Sequence, residues 1–151
     1  MYIALLHTHS LLRFLVLALL ILVIVKAYLG TSGKKPYGKT DNLLSLSLFS
    51  VTHTQLLVGL LLDSQSSFVR FGADTMKDAG LRYWTVEHFT MMLIAIGLIT
   101  FARISAKKMT DDAAKHKRTL VFNALALAVI VITILMSGRG ILSMTAGTPS
   151  M

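Results

Sequence analysis

Three imidazoles and two guanidinium groups carry the chemistry legible in this chain: His9, His53 and His88, with Arg13 and Arg139. All five lie inside, or at the edge of, apolar stretches long enough to cross a bilayer. An ionisable side chain costs free energy in hydrocarbon, so it is kept mainly where it faces a cavity, a partner or a bound group. Imidazole is also the commonest protein ligand for haem iron and for borderline transition metals. One such histidine is most simply a neutral ring hydrogen-bonded to a neighbouring helix. Three on three spans at overlapping depth point instead to a shared site.

The elements that must position these residues follow from composition. The 151 residues are 54% hydrophobic and only 15% charged. A span needs about 20 mostly apolar residues, and four stretches qualify, at about 2–25, 43–62, 84–106 and 120–142. The expected fold is all-α: a single four-span transmembrane domain over 1–151, folded as a four-helix bundle. Gly30, Gly33, Pro36 and Gly38 break the chain after the first span, Gly72 and Gly80 punctuate the second loop, and Asp111 and Asp112 open a short basic turn before the last span. The apolar N-terminus has no basic leader and no small-residue cleavage site, so it reads as a retained span. The absence of cysteine excludes disulfides, thiolate-held iron–sulfur clusters, thiolate-ligated haem and covalent haem attachment.

The net charge of +8 would suggest nucleic acid in a soluble protein, but here the basic residues flank the spans. Membrane orientation and anionic lipid account for them, and no nucleic-acid partner is expected. Lys26, Lys34, Lys35, Lys39, Arg103, Lys107, Lys108, Lys115, Lys117 and Arg118 fall on one side. Only Arg70, Lys77, Arg82 and Arg139 fall near the other. Loops one and three are therefore expected in the cytoplasm, with both termini and the 63–83 loop on the outer, periplasmic side of a bacterial inner membrane. Tyr83 and Trp84 would sit in the outer aromatic belt. At about 1.5 Å per residue, His9, His53 and His88 would lie roughly 10, 14 and 6 Å below that outer face. The inner half holds milder polar groups, chiefly Ser45, Ser47, Thr100 and Asn123.

Arg13 lies one turn deeper than His9 on the same face. His7 points about 200° away and suits the interface. On the second span, Leu46, Ser50, His53 and Leu57 share one face, and Ser45, Thr52, Gln55 and Gly59 line the next. Arg13 is too deep to reach water easily and calls for an internal acceptor, such as a haem propionate, Glu87 or a quinone oxygen. Met91 and Met92 read as core filler. A four-helix bundle builds cofactor sites from facing helices, so haem b is the first expectation. Its axial ligands would be His53 and His9, with His88 the next choice and Arg13 and Arg139 beside the propionates. A copper or zinc site of His9, His53 and His88 is the alternative; their unequal depths fit it less well, because direct ligands must converge within about 2.1 Å of a small ion.

These residues also carry a resemblance. The stretch from His9 to Leu17 with its His-Ser-Leu-Leu-Arg opening, Lys39-Thr40-Asp41-Asn42, the segment Thr52-His53-Thr54-Gln55 through Gly59, and Glu87-His88 followed by Met92, Ala95 and Ala106-Lys107-Lys108 resemble the spans of small bacterial four-helix membrane proteins labelled cytochrome b-like. The chain departs from that pattern at Phe14, where tryptophan is usual, and in its short tail after Arg139. The resemblance implies a b-type haem or a place in the respiratory membrane. The expected function is electron transfer between quinol and a partner protein or membrane-complex subunit, rather than stand-alone catalysis. No paired carboxylates, nucleophile with a base, or phosphate loop argue for an enzyme. A cofactor-free assembly subunit is the remaining class, and Gly59 and Gly97 would permit close packing with another copy.

Overall fold

The structure, a computed structural model, describes residues 1–66 and 71–136. Helices α1 (Tyr2–Ser32), α2 (Lys39–Gln65), α3 (Ala79–Arg82), α4 (His88–Lys108) and α5 (Asp112–Met136) account for nearly all of them. Residues Tyr83–Glu87 form a π-helical turn that joins α3 to α4 in one continuous rod, Ala79–Lys108. Four helical segments are long and apolar enough to cross a membrane. Their outward faces carry Leu11, Leu57 and Leu135, each more than 60% exposed. In water such exposure would be costly; in a bilayer it is the lipid-facing surface.

Each helix extends past the apolar stretch that announces it. The first runs to Ser32 rather than stopping near 25, because no breaker takes effect before Gly33, whose N–H closes on Leu29 O at 2.9 Å. Lys34 then takes a left-handed conformation (φ 48°) and Pro36 prevents the helix from resuming. Asp41 starts α2 by accepting the Gly38 N–H at 2.9 Å, and it also pairs with Lys26 of α1 at 3.3 Å. Asp78 and Asp111 precede α3 and α5 and cap them from the other direction, their carboxylates accepting from Leu81 N and Ala114 N. Lys107 and Lys108 in the last turn of α4 favour its C-terminal dipole. The fourth helix begins at Asp112, two turns before the expected span, and is described to Met136. The end of that span and Arg139 lie outside the described residues.

Helix α1 packs along both α2 and α5, and α4 packs along α5, whereas α2 meets α4 only sparsely. The order around the bundle is therefore α2, α1, α5, α4, with one seam left loose. Val16, Leu20 and Val23 of α1, Leu48 of α2, Ala95 and Ile99 of α4, and Ala126 and Ile130 of α5 form the apolar centre. This layer separates two polar regions. One lies toward the end carrying the N-terminus. The other lies toward the end formed by the 33–38 and 109–111 turns.

Candidate functional site: a cleft behind His9 and His88

Beside the loose α2–α4 seam is a cavity of about 160 Å³ lined by His9, Arg13, Thr52, Gln55, Asp63 and His88, with Ser10, Gly59, Thr133 and apolar side chains of all four long helices. His9 of α1 and His88 of α4 sit on diagonally opposed helices with ring centres 6.4 Å apart and planes inclined at 54°. Two imidazoles on opposite sides of one metal ion have ring centres about 6.4 Å apart, taking a metal–nitrogen bond of about 2.0 Å and about 1.2 Å from nitrogen to ring centre. The centre-to-centre distance equals that figure, and the His9 ring atom nearest Gly59 of α2 is Nε2.

Local structure explains how each ring reaches its place. A side chain on Gly59 would put its first carbon 3.2 Å from His9 Nε2, so the glycine lets the imidazole lie against α2. Gln55 donates through Nε2 to the His9 carbonyl at 3.0 Å, tying α1 to α2 at this level. On the other wall, the π turn carries an i to i+5 hydrogen bond from His88 N–H to Tyr83 O. The extra residue rotates everything before it relative to α4, a feature common at functional sites. It gathers Tyr83 and Trp84 around His88, with ring centres 6.0 and 5.2 Å away. Tyr83 donates its hydroxyl to Thr133 O at 2.7 Å and so anchors this wall to α5. Arg82 and Glu87 pair across the turn at 2.8 Å, which gives Glu87 a partner other than Arg13. The Arg13 guanidinium lies 4.9 Å from the centre of the Phe14 ring and lines the cavity.

His53 is placed differently. Its Nδ1 donates to Phe49 O of its own helix at 2.8 Å, and its ring stacks on Phe49 with centres 4.2 Å apart. It does not line the cleft. The α2 face that does is the neighbouring one, with Thr52, Gln55 and Gly59. His7 is exposed, and Met92 lines the cleft while Met91 does not. Among the described residues, no group of three or more His, Cys, Asp or Glu is placed to hold a metal ion.

Two oxygens in the cleft have no hydrogen-bond partner: Thr52 Oγ1, on a residue only 3% exposed, and Gln55 Oε1. They belong to cleft-lining residues one helical turn apart on α2, and both atoms are closed off from solvent. A buried polar atom left unpaired costs about 1–3 kcal/mol.

A second polar cluster, which the sequence reading passed over, occupies the turn-bearing end. His116 of α5 is 1% exposed. Its Nε2 donates to Lys35 O at 3.0 Å, and its ring lies 5.2 Å from that of Tyr37. The ring rests directly on α1, where a Cβ on Gly30 would come within 2.4 Å of it. Arg103 donates to Asn42 O and Oδ1 at 3.4 Å. Burial pushes the Tyr37 phenol above its ordinary pKa, as does the Asp41 carboxylate, while hydrogen bonds with Ser45 and Thr119 and the charge of Arg103 pull the other way. The only sequence signal for this seat is a glycine near the end of an otherwise bulky helix.

No protein-family model matches this chain, and no curated protein or solved structure matches it either. The site therefore has to be interpreted from its own geometry.

Proposed function

We propose that this protein is a membrane-embedded b-type haem protein that transfers electrons, with a quinol or a respiratory partner as the other member of the couple. The observation that carries this reading is the His9–His88 pair, spaced across an apolar cleft as two ligands of one metal ion would be. The donors suit haem b, two imidazoles and a guanidinium with no thiolate, and α2 and α4 would have to part at their loose seam to admit a macrocycle larger than the cavity of about 160 Å³. His9 and His88 would hold the iron, in place of the His9–His53 pair expected from sequence, and Arg13 would pair with a propionate. Arg139 is a second candidate for that role. Haem supplies a one-electron couple whose potential responds to burial and nearby charge.

The chain's own residues do the rest. Tyr83 and Trp84 restrict His88 and cover it from one side. Gly59 and Gln55 set the depth and approach of His9. The apolar lining keeps water away and strengthens the pairing of Arg13 with an anion. In this reading the chain sits in a bacterial inner membrane with the cleft toward the periplasm, the orientation that places the basic turns in the cytoplasm. A bare copper or zinc centre would need ligands beyond this pair, since zinc takes four.

A reduced-minus-oxidised spectrum with a pyridine haemochrome assay tests the proposal on the purified chain. Wild type and His53→Ala are expected to carry haem, and His9→Ala and His88→Ala to lose the absorption band. A flat wild-type spectrum from cells supplied with haem overturns the reading. Metal found by elemental analysis would then favour the copper or zinc class, and its absence an assembly subunit.

A further inference from the structure

Arg103 is buried where its neighbours are not. Lys107 and Lys108, in the last turn of the same helix, are exposed, whereas Arg103 keeps only 9% of its surface. Burying a guanidinium is costly unless an anion meets it. Among the described residues Arg103 forms no ion pair, and Asp41, next to Asn42, is taken by Lys26 and the Gly38 N–H. Arg103 has two bonds from Nη1 to Asn42, both at 3.4 Å, longer than the usual range of about 2.7–3.2 Å. The N–H groups on Nε and Nη2 remain, and no described residue accepts from them.

The surroundings add positive potential rather than cancel it. Asn42 lies within a turn of the start of α2, so the guanidinium sits near the positive end of that helix's dipole, which repels it. Exposed lysines extend the field: Lys39 lies three residues before Asn42 and Lys107 four after Arg103, each on the face of its helix that carries its neighbour. The point lies in the α2–α4 seam, where the helices touch only sparsely. It is about 5 Å along α2 and about 8 Å along α4 from their turn-bearing ends, which matches a headgroup layer of about 5–8 Å. On the same two helices Leu43, Leu46, Phe101 and Ile104 are exposed, an apolar surface beside a polar one.

We propose that this seam holds the headgroup of an anionic phospholipid, its phosphate accepting from the free side of the Arg103 guanidinium and its acyl chains lying on the exposed apolar faces of α2 and α4. A phosphate presents paired oxygens to the parallel N–H groups on Nε and Nη2. A zwitterionic headgroup would bring an ammonium up to Lys39 and Lys107 and is disfavoured. Inorganic phosphate has the charge but nothing to place on the apolar faces. The bound lipid bridges α2 and α4 where Arg103 and Asn42 join them weakly. This site is at the opposite end from the cleft and stands whether or not the cleft takes haem.

Native mass spectrometry of the full chain in detergent, titrated with phosphatidylglycerol or with phosphatidylcholine of the same acyl chains, tests this. Saturable retention of a single phosphatidylglycerol per chain is expected. Arg103→Gln should weaken it by about tenfold, the usual effect of losing a hydrogen bond to a charged group, and phosphatidylcholine should be weaker by a similar factor. A misfolded Arg103→Gln would leave the decision to exposed lysines. Lys39→Gln with Lys107→Gln should weaken retention severalfold. Lys34→Gln with Lys117→Gln removes the same charge outside the two seam helices and should leave retention within about twofold, since exposed charges are screened over distance. Equal retention of the two lipids, or equal loss in the two lysine pairs, overturns the site and leaves only the general attraction of a basic end for acidic lipid. So does wild-type retention in a folded Arg103→Gln. Displacement of the lipid by millimolar inorganic phosphate overturns the commitment to a lipid and marks a site for a soluble anion.

Discussion

The two ends of this bundle each press an imidazole onto a glycine, and they do so to different effect. At the turn-bearing end, His116 fills its seat on Gly30 so completely that a Cβ there would fall 2.4 Å from the ring. The neighbouring void is only about 10 Å³, no more than one water would fill. At the N-terminal end, His9 sits less tightly, 3.2 Å from where a Cβ on Gly59 would fall, and lines a cavity of about 160 Å³. The first arrangement fastens α5 to the end of α1 and the following turn. The second borders free space with polar residues, among them Arg13, Thr52 and Gln55. Burial of an ionisable group does not by itself separate structure from function; the volume beside it does.

That contrast can be broken most severely by adding one methyl group at each glycine. Gly30→Ala must displace the His116 ring, and should destabilise the protein by roughly 1–3 kcal/mol, the usual cost of overpacking. Gly59→Ala needs a shift of only a few tenths of an ångström in the tip of His9. It should leave global stability within about 0.5 kcal/mol or raise it, since alanine is the better helix former. Reversible unfolding in mixed micelles measures both, and equal losses would show that the two seats are equally tight.

A smaller effect concerns pH. Tyr37 holds its proton more tightly when folded than when unfolded. Its stabilising contribution is therefore complete below the ordinary phenol range, about pH 10, and is lost as pH rises through it. Tyr37→Phe should flatten the alkaline limb of the stability profile, and an unchanged limb would assign that loss to another group. The smallest expected change is at Arg82–Glu87, whose side chains are 40% and 30% exposed. Glu87→Gln should cost less than about 1 kcal/mol in the same unfolding assay. A larger loss would mean that this pair holds the π turn in place and that the cleft end is braced as firmly as the other.

The four helices were legible because apolar length alone specifies a span. So were the polar residues of the cleft, since each interrupts an apolar stretch. Their mutual orientation was less accessible. On α2, the faces of His53 and Thr52–Gln55–Gly59 lie side by side, and a modest rotation of the helix decides which one meets α1. That rotation is set by Gly59 against His9 and by Gln55 bonded to the His9 carbonyl, contacts between residues about 50 positions apart. The π turn at Tyr83–Glu87 has no sequence signature, yet it sets how Trp84 and Tyr83 meet His88. His116 escaped notice because its significance depends on α1 and α5 being neighbours, and hydropathy carries no information on which spans adjoin.

That same adjacency bears on the order in which the protein can be assembled. Consecutive long helices pair as α1 with α2 and, in the second half, α4 with α5, but the extensive contact between the halves is that of α1 with α5. Helix α1 must therefore wait for α5, the last of the described helices to be made. Until α5 is made, the first hairpin and the third span have only the sparse α2–α4 seam in common. A chain stopped after Lys108 would lack both the surface that joins its halves and the carbonyl of Thr133 that anchors Tyr83. The completed cleft thus waits for α5, although most of the residues that line it emerge earlier.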